Sequence, residues 1–302
     1  MAKSESNLKI LVIDTAAREA KLAMLTCPQP LSVKRSDILS GCRETQKSVI
    51  SNEFESNSGA LNNFLASFFQ QVTVRKDLTP LVSGTPYSSS QTLVPRIGQL
   101  LGENGLQPDQ LDLVVVALGP GSFTGLRIGV VAAKTFIYAT GCNLVGLDLM
   151  SATAHQAQWI QSLMLGDSHS SSQAEATTTN QPIGVAITAG RGDVLASTYE
   201  RDTDSGLSLT IEAKIWRPDD WAAALEPGTL FSGDGVDLIS SSIIANKRLE
   251  AIDSCCRMPT LPTLAILGIQ RFLDKGPDNH WEMQPIYSRP SSAEEKKQQV
   301  KA

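Results

Sequence analysis

The spacing of apolar residues along the chain predicts an α/β protein. Residues 8–13 form a short apolar run with the composition of a central strand, and residues 20–26 follow closely enough to pair with it as a hairpin. A continuous apolar run at 111–118 predicts another strand, and residues 144–147 predict a further short one. Residues 93–101 are apolar at helical spacing, so a helix is expected before the strand at 111–118.

The second half of the chain repeats this order of strands, hairpins and helices. Its predicted elements, in order, are a helix at 151–165, strands at 183–188, 194–200 and 207–215, a short helix at 221–225, a strand that runs into a glycine turn over 230–235, and a helix at 262–275. Two halves with one pattern predict two α/β lobes with mixed sheets, 1–148 and 149–302.

Polar stretches interrupt the pattern in both halves. Residues 27–80 are expected to be an insertion in the first lobe, in which the apolar residues at 61–72 have the spacing of a short amphipathic helix. Residues 166–181 are rich in Ser and Thr and predict a flexible loop in the second lobe. A polar tail begins at Ser291.

The most specific segment joins the strand at 111–118 to the next helix. It reads Gly-Pro-Gly-Ser-Phe-Thr-Gly from Gly119, and this density of Gly and Pro predicts a sharp turn with exposed backbone N–H groups. The helix that follows runs to about Gly141 and is charged only at Arg127 and Lys134, which share a face. Because its other faces are apolar or small, it must be covered on nearly all sides, which favours a partner protein.

Two questions about this segment stay open, one about the helix and one about the loop. The small residues of the helix, among them Gly125, Gly129 and Ala133, serve either close packing within the lobe or a subunit interface. The loop either attracts an anion to the helix N-terminus, with Gly121 and Ser122 as contacts, or has a structural role. The phosphate-loop motif is absent because no Lys follows the glycines, and their spacing differs from the dinucleotide-binding motif.

Asp14 ends the first strand and is the candidate for nucleotide chemistry. A carboxylate at this position can orient Mg²⁺ or a water molecule beside a phosphate. The alternative is that Asp14 and Thr15 stabilise the hairpin turn. No glycine follows Asp14 in the turn to let the backbone approach a phosphate, so the turn-forming role is favoured.

Composition and charge describe a globular protein without a nucleic-acid surface. Of the 302 residues, 41% are hydrophobic and 19% charged, and 26 basic against 31 acidic side chains give a net charge of −5. Because neutralising phosphates supplies most non-specific affinity for nucleic acid, any RNA is expected to bind only indirectly, through another subunit. The five cysteines lack a C-x-x-C motif, and neither a secretory segment nor a membrane span is evident, so a cytoplasmic location is expected.

Histidine- and metal-based catalysis finds little support in the sequence. The histidines are His155, His169 and His280, and no two of them have the spacing of an H-E-x-x-H motif. No G-x-S-x-G nucleophile motif is present either. We therefore expect no catalytic residue and no metal site.

Five segments together resemble one protein family. They are residues 10–16, 117–129, 145–147 with Ser151, 186–194 and 285–289. In this order they resemble the TsaB (YeaZ) family, accessory proteins of bacterial tRNA threonylcarbamoyladenosine synthesis. Two features depart from the family: the insertion at 27–80 is longer than usual, and a histidine that often precedes the first-lobe helix has no counterpart at 88–92.

The resemblance implies the actin, hexokinase and Hsp70 (ASKHA) fold, with two RNase-H-like lobes. It implies a non-catalytic subunit that activates a TsaD transferase, which modifies adenosine 37 of tRNAs reading ANN codons. The resemblance also implies a TsaE-like ATPase that joins the pair, and association of the chain as homodimers. It implies no cofactor of the chain's own, and leaves open whether ATP or ADP binds at the interface of the complex. The helix opened by the glycine loop would form the interface, through Leu126, Arg127, Gly129, Val130, Ala133 and Phe136.

Two enzymatic alternatives compete with this hypothesis. The first is an ATP-dependent phosphotransferase of the same superfamily, for which Asp14 and Thr15 would be the nucleotide contacts. The second is a metallopeptidase, which the distribution of histidines disfavours.

Overall fold

The computed structural model describes residues 8–17, 20–27, 73–74, 79–80, 89–166, 181–202 and 206–289. Within them the strands are β1 (Leu8–Asp14), β2 (Lys21–Cys27), β3 (Thr73–Val74), β4 (Thr79–Pro80), β5 (Leu113–Gly119), β6 (Asn143–Asp148), β7 (Ile183–Thr188), β8 (Val194–Asp202), β9 (Gly206–Trp216), β10 (Leu230–Ser232) and β11 (Glu250–Ala251). The helices are α1 (Ser89–Glu103), α2 (Phe123–Thr140), α3 (Leu149–Gly166), α4 (Pro218–Ala224), α5 (Ser241–Lys247) and α6 (Leu261–Lys275).

The first sheet is mixed and has the order β3-β2-β1-β5-β6, with β4 also pairing with β2. The predicted hairpin of β1 and β2 is antiparallel, with Asp14 opposite Lys21. Strands β1, β5 and β6 run parallel to one another. Their carboxyl ends therefore lie side by side, and they bring Asp14, Gly119 and Asp148 to one edge of the sheet. That edge is where open α/β sheets bind ligands.

The second sheet has the order β11-β10-β7-β8-β9. Strands β7, β8 and β9 form an antiparallel meander, and β10 pairs in parallel with β7. Strand β9 is the edge of this sheet, and two irregularities in its register with β8 bend it away from a regular ladder. The arrangement is the mixed, helix-flanked sheet expected for each lobe.

Helices α3 and α6 join the two sheets in one hydrophobic core. Helix α6 packs against β1, β2, β5 and β6, while α3 contacts β7 and β10 as well as α6. Gly268 permits the close contact of α6 with β5, because a Cβ there would lie 2.4 Å from Cγ2 of Val115. Buried residues of both sheets, such as Val115 and Val185, belong to this single cluster.

A buried glutamine on α3 fixes the start of α6. Gln156 donates to the backbone oxygens of Cys256 and Met258, both at 2.7 Å. Its side-chain oxygen accepts from the Thr260 N–H at 2.9 Å and from the Thr263 hydroxyl at 2.6 Å. With every polar atom paired, this amide holds the segment that leads from the second sheet back to the first.

The predicted order of strands and helices is confirmed within the described residues. Helix α1 begins at Ser89, several residues before the predicted 93–101. Helix α5 and strand β11 were not predicted, and both are short and largely exposed, so they carry almost no apolar period. Strands β3 and β4, of two residues each, were not predicted either; they lie within the segment expected to be an insertion and pair with β2. The helix expected at 61–72, the loop at 166–181 and the polar tail lie almost wholly outside the described residues. The lobe boundary at 148 stays a prediction.

Across the described ranges, no helix combines the length and the apolar character that a bilayer span requires.

Candidate functional site

The glycine loop packs tightly on the turn that follows β1. A Cβ at Gly121 would lie 2.5 Å from the backbone oxygen of Ala16, and one at Gly125 would lie 2.2 Å from that of Thr15. The same is true of Gly129, where a Cβ would fall 2.2 Å from Oγ1 of Thr15. These distances are shorter than real Cβ contacts, so the three glycines are required for the approach of helix α2 to the β1 turn.

The loop uses its polar groups within the chain. The Ser122 N–H donates to the Ala16 oxygen at 2.7 Å, and the Ser122 side chain accepts from the Gly125 N–H at 3.2 Å as an N-cap. Gly121 and Ser122, the predicted anion contacts, thus face the chain's own β1 turn. Their contact with a nucleotide stays a prediction.

Asp14 and Thr15 are buried at the end of β1. Burial raises the pKa of Asp14 above its usual value, although a hydrogen bond from the Ala16 N–H and the charge of Lys21 act in the opposite direction. The hydroxyl of Thr15 is buried and has no hydrogen-bond partner within the described residues. The Ala16 N–H bond to the Asp14 carboxylate, at 3.0 Å, is the expected turn-stabilising contact.

A second carboxylate, Asp148, lies half-buried at the end of β6. Burial raises the pKa of Asp148, and hydrogen bonds from the Met150 and Ser151 N–H groups oppose this rise. On β8, burial raises the pKa of Tyr199 to about 12, and the charge of Asp148 contributes to the rise. The carboxyl edge of the first sheet therefore holds two carboxylates that burial makes costly to ionise.

Helix α2 buries most of the residues predicted for a partner interface. Leu126, Gly129, Val130 and Ala133 are buried, and Phe136 is half-buried against the first lobe's core. Of the six predicted interface residues, Arg127 alone is exposed. The small-residue face thus serves packing within the lobe. The residues of α2 that the rest of the described chain leaves exposed are Thr124, Arg127, Val131, Thr135, Tyr138 and Ala139.

A C-terminal segment, residues 278–289, runs across this side of the first lobe and is called here the strap. It is attached to the sheet, because the Ile286 N–H donates to the Leu118 oxygen at 2.7 Å and Asp278 accepts from the Gly146 N–H at 2.9 Å. It is attached to helix α2, because Lys134 donates to the Met283 oxygen at 3.2 Å.

The strap also reaches the second lobe. Arg289 forms an ion pair with Asp193 of the β7–β8 turn, and Arg217 lies 3.7 Å from the other oxygen of that carboxylate. Asp193 therefore takes part in a contact between the strap and the second sheet. Arg191, in the same turn, has a positive φ of 57°.

The strap and helix α2 together expose an apolar surface. Trp281 is 70% exposed and packs edge-on against Tyr138, which is 75% exposed, with ring centroids 6.2 Å apart. Val131, about two helical turns before Tyr138 on the same face, is 61% exposed. We call Arg127, Val131, Tyr138 and Trp281 the helix–strap surface.

Sequence reasoning missed most of this surface. It selected mainly the small and apolar residues of helix α2 for a partner interface, and these are the residues that the lobe itself covers. Their contact with a partner stays a prediction. The sequence did show that Val131 and Tyr138 share a helical face with the charged Arg127, and the charge could have indicated that this face is exposed. The position of Trp281 depends on the path of the strap, which no local pattern reveals.

The histidines lie apart from one another where they are described. His155 contacts the Ser151 oxygen within α3, and His280 stacks on Trp281 in the strap. His169 lies outside the described residues. Among the residues the structure describes, no group of three or more His, Cys, Asp or Glu side chains could hold a metal ion.

Comparison with known proteins identifies the family. The model of the family described as "TsaD: tRNA N6-adenosine threonylcarbamoyltransferase" matches residues 87–282. A curated relative of that name from Streptococcus thermophilus (strain CNRZ 1066) is 33% identical over 124 residues, which are 41% of this chain and 35% of the relative. The TsaB protein of Bacillus subtilis (strain 168) is 32% identical over 71 residues, 24% of this chain and 31% of TsaB.

Solved structures resemble the chain over almost its whole length. The structure titled "YeaZ from Pseudomonas aeruginosa" has a TM-score of 0.56 and 15% identity, and covers 93% of this chain and 99% of its own. At that identity the likeness establishes the fold alone. The chain spans about a third of the length of the curated relatives named above.

The resemblance to TsaB (YeaZ) is thereby confirmed. Because the family model covers well over half of the chain, the protein belongs to the TsaD family of tRNA N6-adenosine threonylcarbamoyltransferases and related proteins.

Proposed function

We propose that this chain is a non-catalytic subunit in tRNA threonylcarbamoyladenosine synthesis, which binds and activates a TsaD-like transferase acting on adenosine 37 of tRNAs reading ANN codons. The observation that carries the proposal is the helix–strap surface. Exposed Val131, Tyr138 and Trp281 form an apolar area on the first lobe, and such areas mark protein interfaces. Tyr and Trp are also the residues that most often dominate binding energy.

Family membership supports the choice of partner. A TsaD-like subunit is a relative of this chain, so it would carry a corresponding helix at a corresponding place in its first lobe. Two related subunits can then pair through equivalent helices, in a pseudo-symmetric version of the arrangement common in homodimers. The same surface would accept a second copy of the chain when the partner is absent.

The glycine loop supports the absence of catalysis in this chain. Gly121 packs directly against Ala16, and the Ser122 N–H already donates to the Ala16 oxygen, so this N–H is not free to bind a phosphate. Any ATP or ADP would bind at the junction with the partner, where a TsaE-like ATPase would also dock. The net charge of −5 supports indirect contact with tRNA.

The test is a binding and modification assay with the cognate TsaD-like subunit. Val131→Glu places a charge on the helix–strap surface and is expected to raise the dissociation constant at least about 100-fold, because an unpaired charge would be buried on binding. Leu273→Glu is the matched control, since Leu273 is also an exposed apolar residue, on α6. It should leave binding unchanged.

Threonylcarbamoylated adenosine, measured by mass spectrometry of tRNA nucleosides, should require the chain and fall with Val131→Glu. Equal binding by Val131→Glu and the wild type would show that the surface is not the interface. Transferase activity that does not depend on the chain would reject the activator role. ATP turnover by the isolated chain would favour the phosphotransferase instead.

A substitution at Gly129 would not test the interface. Its Cβ would collide with Thr15 inside the lobe, so loss of binding would follow from a disturbed fold. Variants of Val131, Tyr138 and Trp281 change exposed side chains and avoid this problem.

A further inference from the structure

Arg127 is held in one place by two aromatic rings. Its guanidinium carbon lies 4.0 Å from the centroid of the Phe123 ring and 5.6 Å from that of Tyr287. Its Nε donates to the Tyr287 hydroxyl at 2.8 Å, and the two rings contact each other with centroids 4.5 Å apart. Stacking and the hydrogen bond together restrict a side chain that would otherwise be free on the surface, so less freedom is lost when it binds.

The held guanidinium keeps most of its binding capacity. It has five N–H donors in a planar fork, and the bond to Tyr287 uses the one on Nε. No carboxylate pairs with Arg127 in the part of the chain that the structure describes. The four Nη hydrogens remain for the end-on, two-bond geometry with which arginine recognises a planar oxyanion.

The surroundings of Arg127 favour a protein carboxylate over a phosphate of nucleic acid. The other cation of helix α2, Lys134, already donates to backbone oxygens of the strap. One arginine on a chain of net charge −5 does not form the multiple cationic contacts on which backbone binding to nucleic acid depends. Beside Val131 and Tyr138, a single prearranged arginine instead has the character of a charged contact at the edge of an apolar interface.

Resting on the proposed function, we propose that Arg127 binds an Asp or Glu side chain of the TsaD-like partner, and that Phe123 and Tyr287 are the positioning residues that hold it. Tyr287 belongs to the strap, so the strap contributes to recognition by orienting an arginine of helix α2. The contact would determine which surface of the partner meets the helix, because an apolar contact alone has little directional preference.

The experiment measures the affinity of full-length variants for the cognate TsaD-like subunit at two salt concentrations. Arg127→Met keeps the packing on Phe123 but removes the charge, and we expect its dissociation constant to rise at least tenfold and to depend less on salt. Arg127→Lys keeps the charge without the fork and should recover only part of the affinity. Tyr287→Phe removes the positioning hydroxyl, and a rise of about threefold is expected.

Arg217→Met is the matched control, since Arg217 is an exposed arginine of the second lobe with a side chain 78% accessible. It should bind like the wild type. If the wild type binds the subunit and Arg127→Met binds equally well, the inference about Arg127 is overturned while the proposed function stands. If the wild type does not bind, the proposed function itself fails. The same variants are also titrated with tRNA in the presence of the subunit; if Arg127→Met weakens tRNA binding and leaves binding of the subunit unchanged, the partner of Arg127 is a phosphate and the inference is overturned.

Discussion

Gly125→Ala offers the sharpest test of the glycine-dependent contact between helix α2 and the β1 turn. The new Cβ would lie 2.2 Å from the backbone oxygen of Thr15, whereas ordinary contacts begin at 3.4 Å. The helix and the turn must therefore separate by about 1 Å. The turn resists this movement, because the Ala16 oxygen accepts from the Ser122 N–H and the Ala16 N–H donates to Asp14.

The expected change in the free energy of unfolding has three contributions. Overpacking in a well-packed region costs roughly 1–3 kcal/mol. Weakening one of the two hydrogen bonds of the turn adds about 1 kcal/mol. Alanine is a better helix former than glycine by about 1 kcal/mol, which offsets part of the loss. We expect Gly125→Ala to destabilise the protein by about 2 kcal/mol.

Gly98→Ala is the matched control. Gly98 also lies inside a helix, α1, but it is exposed and a Cβ there would meet no atom within 4 Å. Here only the helix-forming preference acts, so the variant should gain about 1 kcal/mol. The two variants thus carry the same chemical change with opposite expected signs.

Urea unfolding followed by circular dichroism measures both variants under one set of conditions. The midpoint should fall for Gly125→Ala and rise for Gly98→Ala. If Gly125→Ala unfolds at the same urea concentration as Gly98→Ala or at a higher one, helix α2 does not approach the β1 turn as described. The explanation of the glycine loop would then be wrong.

Two further predictions concern buried polar groups. Because burial raises the pKa of Asp14, its charged form destabilises the fold, so Asp14→Asn should raise the free energy of unfolding at pH 7, and the gain should vanish as the pH falls below the usual value of 3.8. Asp219→Asn should show the opposite sign, because hydrogen bonds from Ser240 lower the pKa of Asp219. If the difference in stability between the wild type and each variant does not change with pH, the argument is contradicted. Gln156→Ala leaves several buried groups of the α3–α6 junction unpaired and should lower the free energy of unfolding by about 2–4 kcal/mol, measured in thermal or urea unfolding. The control is Gln99→Ala, at an exposed position, which should change it by no more than about 0.5 kcal/mol. Equal stability of the two variants would reject the role of Gln156.

The elements of the fold could be predicted from sequence because most of them carry a strong apolar period. Strands β1, β5 and β7 are almost wholly buried, so their residues form continuous apolar runs that turn residues interrupt. The repeated order of these runs predicted two related lobes. The role of α6 could not be predicted, because its sequence gives an apolar face without saying that the face packs against the first sheet.

The candidate site was harder to predict than the fold. A helix that is apolar on nearly all sides does need wide cover, but the sheet covers the small residues and the strap covers part of the remainder. Sequence periodicity shows which residues share a face and not which neighbour covers that face. Of the residues predicted for a partner interface, most are buried within the lobe, and their contact with a partner stays a prediction.

In both lobes, a pair of glycines two residues apart follows a parallel strand. In the first lobe, β5 runs into Gly119 and Gly121, and the first of these has a φ of +111°. In the second lobe, β10 runs into Gly233 and Gly235, two residues apart as before, and the φ of Gly233 is +102°. Each glycine pair packs against a neighbouring parallel strand or the turn that follows it. A Cβ at Gly121 would collide with Ala16 in the turn after β1, and one at Gly233 would lie 2.0 Å from the Ala186 oxygen in β7.

The segment after the glycine pair differs between the lobes. After Gly121 the chain forms the long helix α2, whereas after Gly233 it forms only a short 3-10 turn, Asp234–Leu238. Asp234 of that turn binds the end of β7 through the Thr188 N–H and hydroxyl, both at 2.8 Å. The second lobe thus closes this corner with its own side chain, and the first extends it into a helix with an exposed face. The two lobes therefore share a glycine turn after a parallel strand and differ in the length of the segment that follows it, which leaves an exposed helix face on the first lobe alone of these two corners.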